Sequence, residues 1–163
     1  MENKLKRKEN ENSLIIKNEF NKIINHFNKR EFKESLQLAI KIDKKYPDSY
    51  KIKNILGAAY TFIEDFEKAK HQYILAIKLN PIYAEAYNNL ASTFQSLGDY
   101  KKAIKNYLEA IENNSEFYDA LRNLGEIYIL TKQFNLAEES FEKAEQIRPL
   151  SAEIYNKLGN NFF

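Results

Sequence analysis

The sequence predicts an all-α fold, an α-solenoid of stacked antiparallel helix hairpins, and three observations carry that prediction. The chain repeats with a period of 34 residues: Pro47, Pro81 and Pro149 fall on that step, with Ser115 at the one place where proline is missing. Within each period, apolar residues recur at i, i+3, i+4 and i+7 on two successive stretches, the spacing of two amphipathic helices. Between those stretches lies a short break, Gly98-Asp99 in the clearest copy, where glycine relieves a tight reversal and aspartate favours the next helix start.

Taken in order, residues 1–15 form a charged leader in which Lys4, Lys6, Arg7 and Lys8 precede the short apolar run Leu14 to Ile16. That run is too short for a signal-peptide core or a membrane span, so a frayed, solvated terminus in a cytoplasmic protein is expected. The array then runs over 16–163. Its first unit, 16–49, is degenerate: Phe32, Ser35 and Ala39 keep the pattern, but Lys22 stands where the other copies have leucine. Its loop is expected to be one residue shorter if Phe27, rather than His26, takes the aromatic place.

Units 50–83, 84–117 and 118–151 are complete. Gly57, Ala91, Gly125 and Gly159 coincide, as do Ala69, Ala103 and Ala137, and Ala76, Ala110 and Ala144. Small residues at fixed places predict close helix approach within and between hairpins. Tyr60, Phe94, Tyr128 and Phe162 coincide too, as do Phe66, Tyr100 and Phe134, and Tyr73, Tyr107 and Phe141, so most aromatics read as packing. Lys53 departs from the pattern where a large apolar residue belongs, which should weaken one contact. Residues 152–163 open a half unit in which Tyr155, Leu158 and Phe162 repeat the first-helix face. Burial of such a side chain is worth roughly 1.5–3 kcal/mol, so this end is expected to self-associate, fold back or continue into a longer polypeptide.

Composition narrows the function classes. The 163 residues carry a net charge of +2, too small to argue for nucleic acid or an anionic membrane. There is no cysteine, which excludes disulfides, thiolate metal sites and a cysteine nucleophile. His26 and His71 lie in different units with no aligned carboxylate, and no phosphate-cradling glycine loop occurs. No catalytic group, metal or cofactor is expected, and the chain reads as a non-enzyme.

The set Pro81, Tyr87, Leu90, Ala91, Phe94, Gly98, Tyr100, Ala103, Tyr107 and Ala110 resembles the tetratricopeptide repeat (TPR), and the likeness spans about nine-tenths of the chain. That resemblance implies a right-handed superhelix whose first helices line a concave groove that binds peptides or proteins. It implies a protein–protein interaction scaffold, with an alternative: the N-terminal, substrate-recruiting region of a larger glycosyltransferase or sulfotransferase.

Turning the first helices by 100° per residue places Glu85, Asn88, Ser92 and Gln95 on one polar flank, with Asn89 and Ser96 just beyond. The small flank, Ala86 and Thr93, suits a packed neighbour. One unit earlier the strip holds Lys51, Asn54, Ala58 and Thr61; one unit later it holds Asp119, Arg122, Glu126 and Ile129. Asn89 and Asn123 align. In arrays resembling those of O-linked N-acetylglucosamine transferase-like proteins, asparagines at this place form a ladder for the backbone of an extended peptide. An amide both donates and accepts, so such binding tolerates many sequences. A basic clamp for a terminal carboxylate is disfavoured, because Lys51 and Arg122 are two units apart and separated by Glu85, Asp119 and Glu126.

Overall fold

The computed structural model describes residues 18, 19 and 21–148, and every regular element among them is a helix. The chain divides into two units, Met1–Pro81 and Ile82–Phe163. The first holds α1 (21–28), α2 (Phe32–Lys45), α3 (Tyr50–Phe62) and α4 (Phe66–Leu79). The second holds α5 (Ala84–Ser96), α6 (Tyr100–Asn113), α7 (Tyr118–Leu130) and α8 (Phe134–Ile147). The half unit expected at 152–163, and with it the self-association surface, lies outside the described residues.

Each hairpin reverses through one device. Arg30, Glu64, Gly98 and Lys132, spaced one repeat apart, take φ of 61°, 60°, 75° and 59°. The N–H of the following residue donates five residues back, Glu31 to the His26 carbonyl, Asp65 to Tyr60, Asp99 to Phe94 and Gln133 to Tyr128, at 2.8–3.0 Å. A left-handed residue followed by such a bond is the Schellman ending of a helix, which satisfies carbonyls that the last turn leaves open. Asp65 and Asp99 then cap the second helices, each accepting from the backbone N–H three residues on, at 3.2 Å.

The shared turn corrects the expectation of a shorter first loop. With Arg30 in the place of Gly98, His26 takes the place of Phe94, and Phe27 that of Gln95. The same register reinterprets the degenerate unit. Ile23, 1% exposed, takes the small-residue place of Gly57, and Ala39, 0% exposed, takes the place of Tyr73. Large and small have changed sides, and the pair still fills one interhelical gap.

Close approach explains the small residues elsewhere. A Cβ on Gly57 would sit 2.6 Å from the Tyr73 ring, and one on Gly125 would sit 2.7 Å from the Phe141 ring. Each unit has its own core. Ile23, Ala39, Ile42, Ile52, Ile55 and Leu56 make the first; Ala91, Ala103, Tyr107, Leu124, Ile127, Tyr128 and Ala137 make the second. At Lys53, where the sequence suggested one weakened contact, an ion pair stands in for apolar packing. The Lys53 Nζ lies 2.7 Å from Asp43 Oδ1, joining α3 to α2 with both side chains largely covered.

Candidate functional site

In the second unit, α5 and α7 lie side by side and share one polar face, with α6 behind it. Helical phase produces this face: Leu90 and Ala91 turn into the core, as do Leu124 and Gly125, so the residues one position on or before them point along the shared surface. Asn123 Nδ2 donates to Asn88 Oδ1 at 3.3 Å, and Asn88 Nδ2 donates to Asn89 Oδ1 at 3.4 Å. Three half-buried amides therefore run across two helices. Asn89 and Asn123, aligned in sequence, are not separate rungs but are bridged by Asn88, because Asn123 reaches diagonally to the preceding helix.

Beside this chain lies a cavity of about 400 Å³. Ser92, Gln95 and Ser96 come to it from α5, Tyr100 and Tyr107 from α6, and Asn123, Glu126 and Leu130 from α7. At its floor the Tyr107 hydroxyl donates to Gln95 Oε1 at 2.8 Å. Burial pushes the Tyr107 phenol up to about 12, with the Ser92 hydroxyl pulling the other way. Ser96 Oγ donates to the Ser92 carbonyl at 3.1 Å. Glu126 is the carboxylate of the lining, paired with Arg122 at 2.9 Å.

Of the residues expected in a groove, Ser92, Gln95, Asn123 and Glu126 meet at the cavity, and Asn88, Asn89 and Arg122 adjoin it. Glu85 and Asp119 stand exposed in the first turns of α5 and α7 and do not line it. In the first unit, Lys51 is exposed, its Nζ 5.9 Å from the Tyr50 ring. Asn54 is only 9% exposed, not open to a ligand, since α3 buries Ile52, Asn54, Ile55, Leu56 and Gly57 almost all round. Sequence reasoning assigned Tyr100 and Tyr107 to packing and did not assign Leu130. A usable signal was the tyrosine at 107, whose hydroxyl needs a polar partner once the ring is buried.

The corresponding place two repeats earlier is closed. Phe27, Phe32 and Phe62 stand where Gln95, Tyr100 and Leu130 stand in the second unit. Their ring centroids are 5.6 Å (Phe27–Phe32), 4.1 Å (Phe27–Phe62) and 4.8 Å (Phe32–Phe62) apart. Ile55 and Ala58 replace Asn123 and Glu126.

Hairpins with one repeated turn, small residues at each helix contact and a polar face on successive first helices define an all-α, solenoid-type repeat scaffold that works by presenting surface to other proteins. The family comparison agrees: residues 50–83 and 83–150 each match a model described as tetratricopeptide repeat, together more than half of the chain, and the chain belongs to that family. Among solved structures it is similar to two titled "Crystal structure of MamA" and "Crystal structure of MamA protein". The first is 26% identical with a TM-score of 0.68, over 77% of this chain and 73% of that one. The second is 25% identical with a TM-score of 0.69, over 80% and 72%. "MamA 41-end from Desulfovibrio magneticus RS-1", 19% identical with a TM-score of 0.70 over 79% and 73%, shares the fold. No curated protein matches the chain. Among the described residues no helix is long and apolar enough to cross a membrane.

Proposed function

We propose that this TPR scaffold binds an extended peptide or protein segment along the shared face of α5 and α7. The single observation that carries the reading is the amide chain Asn123–Asn88–Asn89 beside an open polar cavity. Asn123 Oδ1 accepts no hydrogen bond within the described residues, and the amide hydrogen bonds are long, so a peptide backbone could join the chain at small cost. The face is mixed in charge, Glu85, Asp119 and Glu126 against Arg122, which favours a peptide over a nucleic acid backbone.

A random linear peptide library selected on the protein tests this. Selected peptides are expected to bind about tenfold more weakly to Asn88→Ala/Asn123→Ala, roughly the loss of one or two good hydrogen bonds. Removing both members of the pair costs Asn89 only one long hydrogen bond at a half-buried place, so melting should change little. Undiminished affinity in the double variant rejects the reading.

A further inference from the structure

We propose that the cavity between α5, α6 and α7 receives a basic side chain, lysine or arginine, from the bound segment, an inference that rests on the peptide-binding reading above. The Glu126 carboxylate and the acceptors beside it point to a cation. The Tyr107 and Ser96 hydroxyls donate inward, to Gln95 Oε1 and the Ser92 carbonyl, and one N–H of Asn123 goes to Asn88, while the second Asn123 N–H and the Gln95 amide can still donate. Acceptor capacity remains as well, and with it the one carboxylate of the lining. Asn123 Oδ1, the second lone pair of Gln95 Oε1 and the Glu126 carboxylate can each take an N–H, and a lysine or arginine head offers only donors. A carboxylate or phosphate could use the remaining amide N–H groups but would meet the Glu126 charge.

The shape of the site suits the stem of such a residue as well as its head. Asn123, Glu126 and Leu130 lie at i, i+3 and i+7 on α7, a strip roughly 10 Å long at 1.5 Å per residue. Leu130 is 56% exposed and Tyr100 38% exposed, so an aliphatic stem has apolar surface to lie on while its charged end reaches the polar part. Arg122 does not cancel the site. Its pair with Glu126 is half exposed, with side-chain exposures of 50% and 44%, and therefore weak, and Glu85 and Asp119 keep the face net negative. The feature belongs to the second unit alone, because Phe27, Ile55 and Ala58 hold the places of Gln95, Asn123 and Glu126 in the first.

The test uses end-capped peptides of serine, alanine and glycine that differ only in a central lysine, arginine, norleucine or glutamate, titrated to millimolar concentration against the isotope-labelled full chain. Lysine and arginine peptides are expected to shift the side-chain amide signals of Gln95 and Asn123 and to bind about fivefold tighter than norleucine, as one partly solvated charge contact allows. In Glu126→Gln that preference should vanish with the melting curve unchanged. Equal binding of the norleucine or glutamate peptide, or a preference that survives Glu126→Gln, overturns the inference. If all four peptides move the Asn88, Asn89 and Asn123 signals alike, peptide binding stands and the basic pocket falls. If none moves any signal from α5 or α7, both fall.

Discussion

Phe27, Phe32 and Phe62 in the first unit, and Gln95, Tyr100 and Leu130 in the second, hold the same three places of the repeat two periods apart. In the first unit three rings pack together and close the site, Phe32 and Phe62 stacked and Phe27 edge to face against both, at 4.1 Å from Phe62. In the second the same places edge a cavity of about 400 Å³ with a hydrogen-bonded floor. The opposite exchange occurs elsewhere in the same pair of units. Asp43 and Lys53 form an ion pair between α2 and α3, whereas Ile111 and Leu121 hold those places on α6 and α7. One backbone thus tolerates polar and apolar solutions at both places. Packing geometry is set by the small residues, and the exchanged sites are free to specialise.

The largest expected effect comes from opening the closed site. Phe27→Ala with Phe62→Ala should cost about 2–4 kcal/mol, since ring contacts and partly buried apolar area are both lost. Chemical denaturation measures it, and a loss below about 0.5 kcal/mol, within the range of ordinary surface changes, would mean the rings are not a packed plug. Next is the ion pair. Lys53→Leu alone should destabilise by about 1–3 kcal/mol, because Asp43 keeps its charge in a covered place without a counter-ion. Adding Asp43→Ile, which recreates the second unit's solution, should restore wild-type stability or better. If the two losses simply add, the units are not interchangeable at that contact.

A third effect is set by pH. Burial raises the phenols of Tyr73 and Tyr107 from 10.0 to about 12. Below pH 10 both states keep these protons and the shift has no influence. Above it the unfolded chain loses protons that the folded one retains, so stability falls as pH rises toward 12, by on the order of 1 kcal/mol per tyrosine near about pH 11. Tyrosinate absorbance should show Tyr73 and Tyr107 titrating last in the folded protein, and Tyr107→Phe should remove one of these two latest steps. Titration of both together with the exposed tyrosines contradicts their burial. The smallest effect is in the turns. Lys132→Gly should gain about 0.5–1 kcal/mol and Gly98→Ala should lose a similar amount, because both positions hold positive φ, where a Cβ is strained. Equilibrium unfolding of the two variants reads both signs.

Much of this was legible in the sequence for a physical reason. Gly57, Ala91, Gly125 and the facing Tyr73, Tyr107 and Phe141 recur because helices can approach only where one side is small, and that requirement leaves a period. The first unit was harder. Ile23 and Ala39 exchange sizes across the gap, so each residue alone reads as a departure although their sum conserves volume. The turn at Arg30 was hidden because left-handed backbone does not require glycine when the Schellman hydrogen bonds hold it. At the site, Ser92, Gln95, Asn123 and Glu126 followed from helical phase, whereas the Asn123 to Asn88 contact did not, because a diagonal reach depends on the offset between two helices. The burial of Asn54 was hidden for a related reason: its face of α3 is covered, which periodicity on one helix does not reveal.

On the proposed reading, the open place in the second unit, not the repeat scaffold as such, recognises the bound segment. Affinity for library-selected peptides should therefore be measured in Gln95→Phe/Tyr100→Phe/Leu130→Phe, which writes the first unit's three rings into the second. Binding is expected to be lost while the helical signal is kept, with some stability given up because the buried Tyr107 hydroxyl loses Gln95 Oε1. Wild-type affinity in that closed variant would contradict that reading.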